Sequence, residues 1–170
     1  MKKSDSIVLG GGCFWCLDAI YRLQPGVSKV VSGYAGGSVA NPTYEQVCMG
    51  DTGHAEVIKI DFDPAITSLE NILKLFWQAH DPTTINQQGQ DIGSQYRSII
   101  LFNGPEQLEI IQKSLESVAQ PQWGRVVTEI KPLENFYPAE DYHQDYFNKN
   151  PDQPYCQVVI APKMKKLLQS

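Results

Sequence analysis

Cys13 and Cys16 stand three residues apart, where the apolar run Ile7-Val8-Leu9 passes through Gly10-Gly11-Gly12 into the start of a helix. A thiol at the first turn of a helix meets unpaired N–H groups and the positive end of the helix dipole. Cys13 is therefore expected to have a lowered pKa and to act as a nucleophile. The glycines permit a tight turn and leave the sulfur approachable. Phe14 and Trp15 follow at once, and a reactive sulfur beside an aromatic wall suits chemistry on a small apolar group.

The Cys-x-x-Cys pair admits three uses: half of a zinc site, a thioredoxin-type dithiol, or a nucleophile Cys13 with Cys16 as an auxiliary thiol. A structural zinc site needs a second close pair of ligands, and Cys48 and Cys156 each stand alone, so no metal is expected. Cys48, next to Met49, is expected to be a small buried hydrophobe. The glycine run fails as a dinucleotide-binding turn because Trp15 takes the place of its last glycine. His54, His80 and His143 are dispersed and show no ligand spacing.

Glu56 is a second candidate. In a strand over 55–62 it shares a face with Ile58, Ile60 and Phe62, since side chains alternate with period two. Burial there raises a carboxyl pKa and keeps it protonated near neutrality, as a general acid requires. The cost is about 3–4 kcal/mol, which points to function rather than structure. Tyr96, read as part of a strand with Ser98, Ile100 and Phe102 on the same face, and Tyr44, just after the Pro42 turn, could supply phenolic partners to such a group. Asp91 lies in a Gly/Gln loop close before Tyr96.

These residues need a frame. The pattern predicts strands near 6–10, 27–35, 55–62 and 96–103, with helices near 13–23 and 68–80. A further helix starts at Pro105, followed by a strand near 125–131, a short helix near 139–147, and a Pro-rich, irregular and flexible tail over about 148–170. The first six elements run β-α-β-β-α-β, the order of a ferredoxin-like α+β sandwich. With 170 residues the chain is expected to form one domain over 1–170. Net charge −5, from 14 basic against 19 acidic residues, excludes a dedicated nucleic-acid binder. No run approaches the ~20 apolar residues that span a bilayer, so no membrane association is expected. The apolar stretch after Lys2 and Lys3 is too short for a secretion signal, so the expected setting is cytoplasmic and reducing. The cysteines are then working thiols or core residues.

The segments GCFWC, GYAGG, PTYEQV, GHAEVIKIDFDP, FWQAHDPT, DIGSQYRSII and NPDQPYCQ occur together and in order. With them the chain resembles the methionine sulfoxide reductase A family, the peptide-methionine (S)-S-oxide reductases, from about Ile7 to about Ile160. The resemblance implies reduction of methionine S-sulfoxide, free or in oxidised proteins and peptides, by a monomer with no bound cofactor. It implies Cys13 as the nucleophile that becomes a sulfenic acid, and Phe14 and Trp15 as the pocket for the substrate methyl group. Glu56, Tyr44 and Tyr96 would hydrogen-bond the sulfoxide oxygen, Asp91 would organise the site, and Gly12 would leave room beside the sulfur. Cys156 matches the family's resolving position, with Cys16 the alternative. The resulting disulfide would be reduced by thioredoxin or another external dithiol.

Overall fold

The computed structural model describes residues 5–168. The ends of the expected domain, including Lys2 and Lys3, lie outside them. Strand β1 (Asp5–Gly10) leads to helix α1 (Phe14–Arg22), strand β2 (Val27–Ala35), a short helix α2 (Tyr44–Cys48), and strand β3 (Ala55–Phe62). Helix α3 (Leu69–Ala79), a small hairpin of β4 (Gln87–Gln88) with β5 (Asp91–Ile92), strand β6 (Ile99–Phe102) and helix α4 (Gly104–Ser114) follow. A π-helical turn over Leu115–Ala119 carries α4 into α5 (Gln120–Trp123). Strands β7 (Glu129–Pro132) and β8 (Phe136–Pro138), helix α6 (Tyr146–Lys149), a π-turn Cys156–Ile160 and helix α7 (Ala161–Leu168) complete the chain.

Among the described residues the main sheet has the order β7-β6-β1-β3-β2-β8. Its inner four strands, β6-β1-β3-β2, pair antiparallel throughout and carry α1 and α3 as their crossovers. That is the ferredoxin-like arrangement expected from the element order. Alternation explains the strand pairing: Ile58, Ile60 and Phe62 of β3 are buried, as are Ile7 and Leu9 of β1. Opposite them, α3 buries Leu69, Ile72, Leu73 and Phe76, a stripe at helical spacing, together with Trp77. Ser68 caps that helix by accepting the Asn71 N–H at 3.1 Å.

Helix α1 is tied down by an ion pair that pattern alone did not reveal. Asp18 is buried on its inner face and takes the Arg22 guanidinium, the Ser32 hydroxyl at 3.2 Å and the Asp145 amide at 3.0 Å. Desolvation raises the Asp18 pKa even against the Arg22 charge, as expected when a carboxylate leaves water.

Three stretches differ from expectation. Tyr96 closes a 3-10 turn over Ser94–Tyr96 rather than opening a strand, because Gly93 adopts φ 147 and its carbonyl takes the Tyr96 N–H at 3.0 Å. The helix expected near 139–147 is split into a 3-10 turn Asp141–His143 and α6 by Gln144 and by Asp145 in left-handed φ 53. Gln144 replaces helical bonding with a side-chain clamp on β2: its Oε1 takes the Ser32 N–H and its Nε2 donates to the Ser32 carbonyl, each at 2.8 Å. Finally, the end of the chain is more ordered than expected. Cys156, Ile160, Met164 and Leu167 recur at helical spacing and pack inward, with Pro162 tolerated near the start of α7.

Candidate active site

The turn from β1 into α1 puts Cys13 at the helix N-cap in an extended conformation, with no side-chain capping hydrogen bond. Gly12 makes the turn possible at φ 87, and its N–H donates to the Tyr96 carbonyl at 3.1 Å. A Cβ on Gly12 would meet Gln88 Cγ at 2.8 Å, so the backbone and the β4 loop both require this glycine.

Glu56 lies under the same turn. The β3 register buries it to 1 % exposure, as alternation predicted. Its Oε1 accepts the Phe14 N–H at 3.2 Å, while Oε2 has no hydrogen-bond partner among the described residues. Desolvation pushes its pKa up to about 8, Asp91 adds to the rise, and the Phe14 amide and Cys13 thiol only partly oppose it. At neutral pH the carboxyl therefore keeps its proton, and the free oxygen is the one able to donate it.

The expectation for Cys13 is corrected. Its thiol is raised well above the ordinary value, first by burial, then by the charges of Glu56, Cys16 and Asp91, with the Trp15 amide a weaker opposing influence. The helix entrance does offer an N–H, but Glu56 takes that of Phe14. The nucleophile rests as a thiol.

Tyr96 and Tyr44 are partly buried against the core cluster that contains Cys13 and Phe14. Glu56 acts on both phenols, and burial holds both well above the ordinary range, so they remain hydrogen-bond donors. Tyr44 opens α2, whose capping box pairs Thr43 with Gln46. The Asp91 carboxylate accepts the Tyr155 hydroxyl at 2.7 Å. Trp15 stacks on Tyr146 with ring centres 3.7 Å apart and planes at 5°. Glu56, Asp91 and Tyr96 thus act on Cys13 directly, Phe14 and Trp15 follow it in the chain, and Tyr44 joins the group through Glu56 and Tyr96.

Comparison with known proteins identifies the family. The profile of the family described as peptide methionine sulfoxide reductase matches residues 5–170. The chain is 58% identical to the peptide methionine sulfoxide reductase MsrA of Nautilia profundicola, over 95% of this chain and 92% of that protein. The chain belongs to the peptide methionine sulfoxide reductase family. It is an oxidoreductase of that kind. Its fold also superposes on Mxr1 from Saccharomyces cerevisiae in reduced form, with TM-score 0.86 and 38% identity, covering 91% of this chain and 90% of that one. Mxr1 in complex with Trx2 is similar too, with TM-score 0.62 and 28% identity over 85% of each chain.

Four residues of this reductase's site escaped the sequence reading. His143 is 1 % exposed and accepts the Trp15 indole N–H on Nδ1 at 3.0 Å. That bond fixes the tautomer, leaving a buried Nε2–H without a partner among the described residues. Burial lowers its pKa, so the ring stays neutral. Glu140 holds the Tyr34 hydroxyl at 2.9 Å and the Tyr44 amide at 3.0 Å. Tyr146 forms the outer face of the Trp15 stack. Tyr155 presents its ring edge to Trp15 and its hydroxyl to Cys16 Sγ at 3.7 Å. All four lie in a stretch whose hydrophobic period is broken by turns, so only their aromatic and acidic types could have marked them.

The remaining cysteines are also placed. Cys48 is exposed at the end of α2, not buried as expected, because Val47 is the α2 residue that turns inward. Cys156 is fully buried against α1 in a cluster with Cys16, Ala19 and Ile160, rather than in a loose tail. Among the described residues no helix is long and apolar enough to cross a membrane.

Proposed function

We propose that this reductase acts on the S epimer of methionine sulfoxide, free or within oxidised proteins and peptides, through a Cys13 sulfenic acid. The observation that carries this reading is the unpartnered Oε2 of Glu56. A sulfoxide sulfur is a poor electrophile until its oxygen is protonated, and Glu56 holds a proton with no acceptor among the described residues.

In this reading the sulfoxide oxygen occupies the space between Glu56 Oε2 and the hydroxyls of Tyr44 and Tyr96. The substrate methyl group packs on Phe14 and Trp15, and the His143 Nε2–H offers a second buried donor for a polar group of the substrate. Glu56 gives its proton to the oxygen as Cys13 attacks sulfur. Transfer of that proton restores a carboxylate that recovers one from the Cys13 thiol, so the resting protonation of both groups suits the step. The oxygen then passes from the substrate sulfur to Cys13: the substrate S–O bond and the S–S bond made by the attack both break, a Cys13 S–O bond forms, and methionine leaves with Cys13 as a sulfenic acid. A second cysteine, Cys156 or Cys16, condenses with it to a disulfide and releases water. Mxr1 in complex with Trx2 supports thioredoxin as the external dithiol that reduces this disulfide. The chemistry needs no bound cofactor or metal, and a cytoplasmic monomer meets all of its demands.

Thioredoxin-coupled turnover of separated S and R sulfoxides tests the proposal. The S epimer should be consumed and the R epimer spared. Cys13→Ser should abolish methionine formation; an active Cys13→Ser enzyme would overturn the assignment.

A further inference from the structure

A sulfenic acid on Cys13 must be met by a second sulfur, and the packing ranks the choices. Cys13 belongs to the main core cluster, whereas Cys156 belongs to a separate one with Cys16, Ala19 and Ile160. Cys16 lies between them. Its N–H donates to the Cys13 carbonyl at 3.1 Å, so the two cysteines span the first turn of α1. Helical neighbours at this spacing hold their Cβ atoms about 5–6 Å apart. A disulfide asks for roughly 3.5–4.5 Å, a gap that slight unwinding at the N-cap closes.

Cys16 also has a route for its proton. Tyr155 donates its hydroxyl proton to Asp91 Oδ2 at 2.7 Å, so its oxygen is free to accept from Cys16 Sγ at 3.7 Å. We propose that Cys16, with Tyr155 and Asp91 as its proton path, captures the Cys13 sulfenic acid first, and that Cys156 then takes the disulfide over from Cys16. The proposal rests on the sulfenic acid chemistry above.

The steps balance. The Cys16 sulfur attacks the sulfenic sulfur as its proton passes to Tyr155 and the tyrosine proton to Asp91. The Cys13 S–O bond breaks, the departing hydroxide takes the proton back from Asp91, and water leaves. Cys13 is reduced, Cys16 is oxidised, and a Cys13–Cys16 bond results. The Cys156 sulfur next attacks Cys16, Cys13 departs with the Cys156 proton, and a Cys16–Cys156 disulfide remains for the external dithiol. Burial raises the Cys16 pKa and Lys163 of α7 and Tyr155 only partly oppose it, with Asp91 and Cys156 adding to the rise, so Cys16 rests as a thiol and needs this outlet for its proton. Tyr155 and Asp91 are positioning residues here, since they act through Cys16.

One turnover of the reduced, full-length enzyme, quenched with alkylating agent and mapped by mass spectrometry, decides the order. The parent should show Cys13–Cys16 before Cys16–Cys156. A direct Cys13–Cys156 bond as the first disulfide overturns the relay. In Cys156→Ser the Cys13–Cys16 bond should accumulate. In Cys16→Ala a Cys13 sulfenic acid, trapped by dimedone, should persist at least about tenfold longer. Closure to Cys13–Cys156 at the parental rate in that variant would again defeat the proposal. Tyr155→Phe should slow disulfide formation and move its pH profile upward, whereas a purely structural role would leave the profile in place. Failure of the parent to release any methionine would count instead against the reductase chemistry itself.

Discussion

Glu56 Oε1 accepts the Phe14 N–H at 3.2 Å, so a carboxyl, not the neighbouring thiol, occupies the entrance of helix α1. The interaction holds the acid with one oxygen bound and the other bare. Burial first, and Glu56 beside it, keep Cys13 protonated against the pull of the Trp15 amide.

Glu56→Gln preserves the acceptor for Phe14 but cannot give up a proton. The methionine-forming step should fall by about 100- to 10,000-fold, read as product per enzyme in one turnover. In the parent, the same step should lose rate as pH rises through about 8, where Glu56 ionises. A rate that is flat across that range would remove Glu56 from the acid role.

The same substitution should stabilise the fold. The Glu56 pKa is about 8 in the folded protein, above its ordinary 4.5, so the native state binds the proton more tightly and stability falls as pH rises through that window. Above it the deficit is a few kcal/mol. Urea unfolding should therefore show Glu56→Gln gaining on the parent from pH 5 to about pH 8 and holding a constant lead beyond.

His80 should dominate the acid limb. It is buried and neutral between the Phe76 carbonyl and the Ser98 hydroxyl, each at 2.7 Å, with its pKa lowered to about 4 by desolvation. The unfolded chain binds that proton first, so stability present above the ordinary value of 6.5 is lost as pH falls toward about 4. The loss is about 3 kcal/mol. Because Glu56 opposes this slope below pH 6.5, unfolding in the Glu56→Gln background measures it directly.

Asp18→Ala should cost about 1–3 kcal/mol, since it leaves the Ser32 hydroxyl and the Asp145 amide without their acceptor, while Arg22 keeps the Val30 carbonyl and the Asp145 carboxylate. Denaturant midpoints check the size of the loss.

Trp15→Phe keeps an aromatic ring for Tyr146 but deletes the N–H held by His143. Without it the His143 tautomer is no longer fixed. We expect about 1–2 kcal/mol of lost transition-state binding, a fall in kcat/KM of roughly 5- to 30-fold, with little change in the melting temperature. Proton NMR of the imidazole should show exchange between tautomers in the variant alone.

The core order was legible because Ile58, Ile60 and Phe62 alternate, and Ile72, Leu73 and Phe76 form a stripe. The same periodicity placed Glu56 on the buried face. The Cys13 pKa was misjudged because its sign depends on burial and on Glu56, which approaches from β3, far along the chain. Tyr96 was assigned to a strand because apolar alternation runs on past Gly93, whose turn only the backbone reveals. His143, Tyr146 and Tyr155 were missed because stacking and single hydrogen bonds leave no period. The terminal helix did carry a signal, Cys156, Ile160, Met164 and Leu167, masked by the prolines around it.

Gln144 fastens the stretch bearing His143 to β2 with a side-chain amide, where the neighbouring β8 uses its main chain. The flank bearing His143 is thus hung from the scaffold by side chains, Gln144 on Ser32 and Glu140 on Tyr34 and Tyr44, rather than by strand pairing. Insertions or reshaping on that flank can alter which oxidised residues are admitted while the strand pairing beneath the reactive sulfur stays as it is.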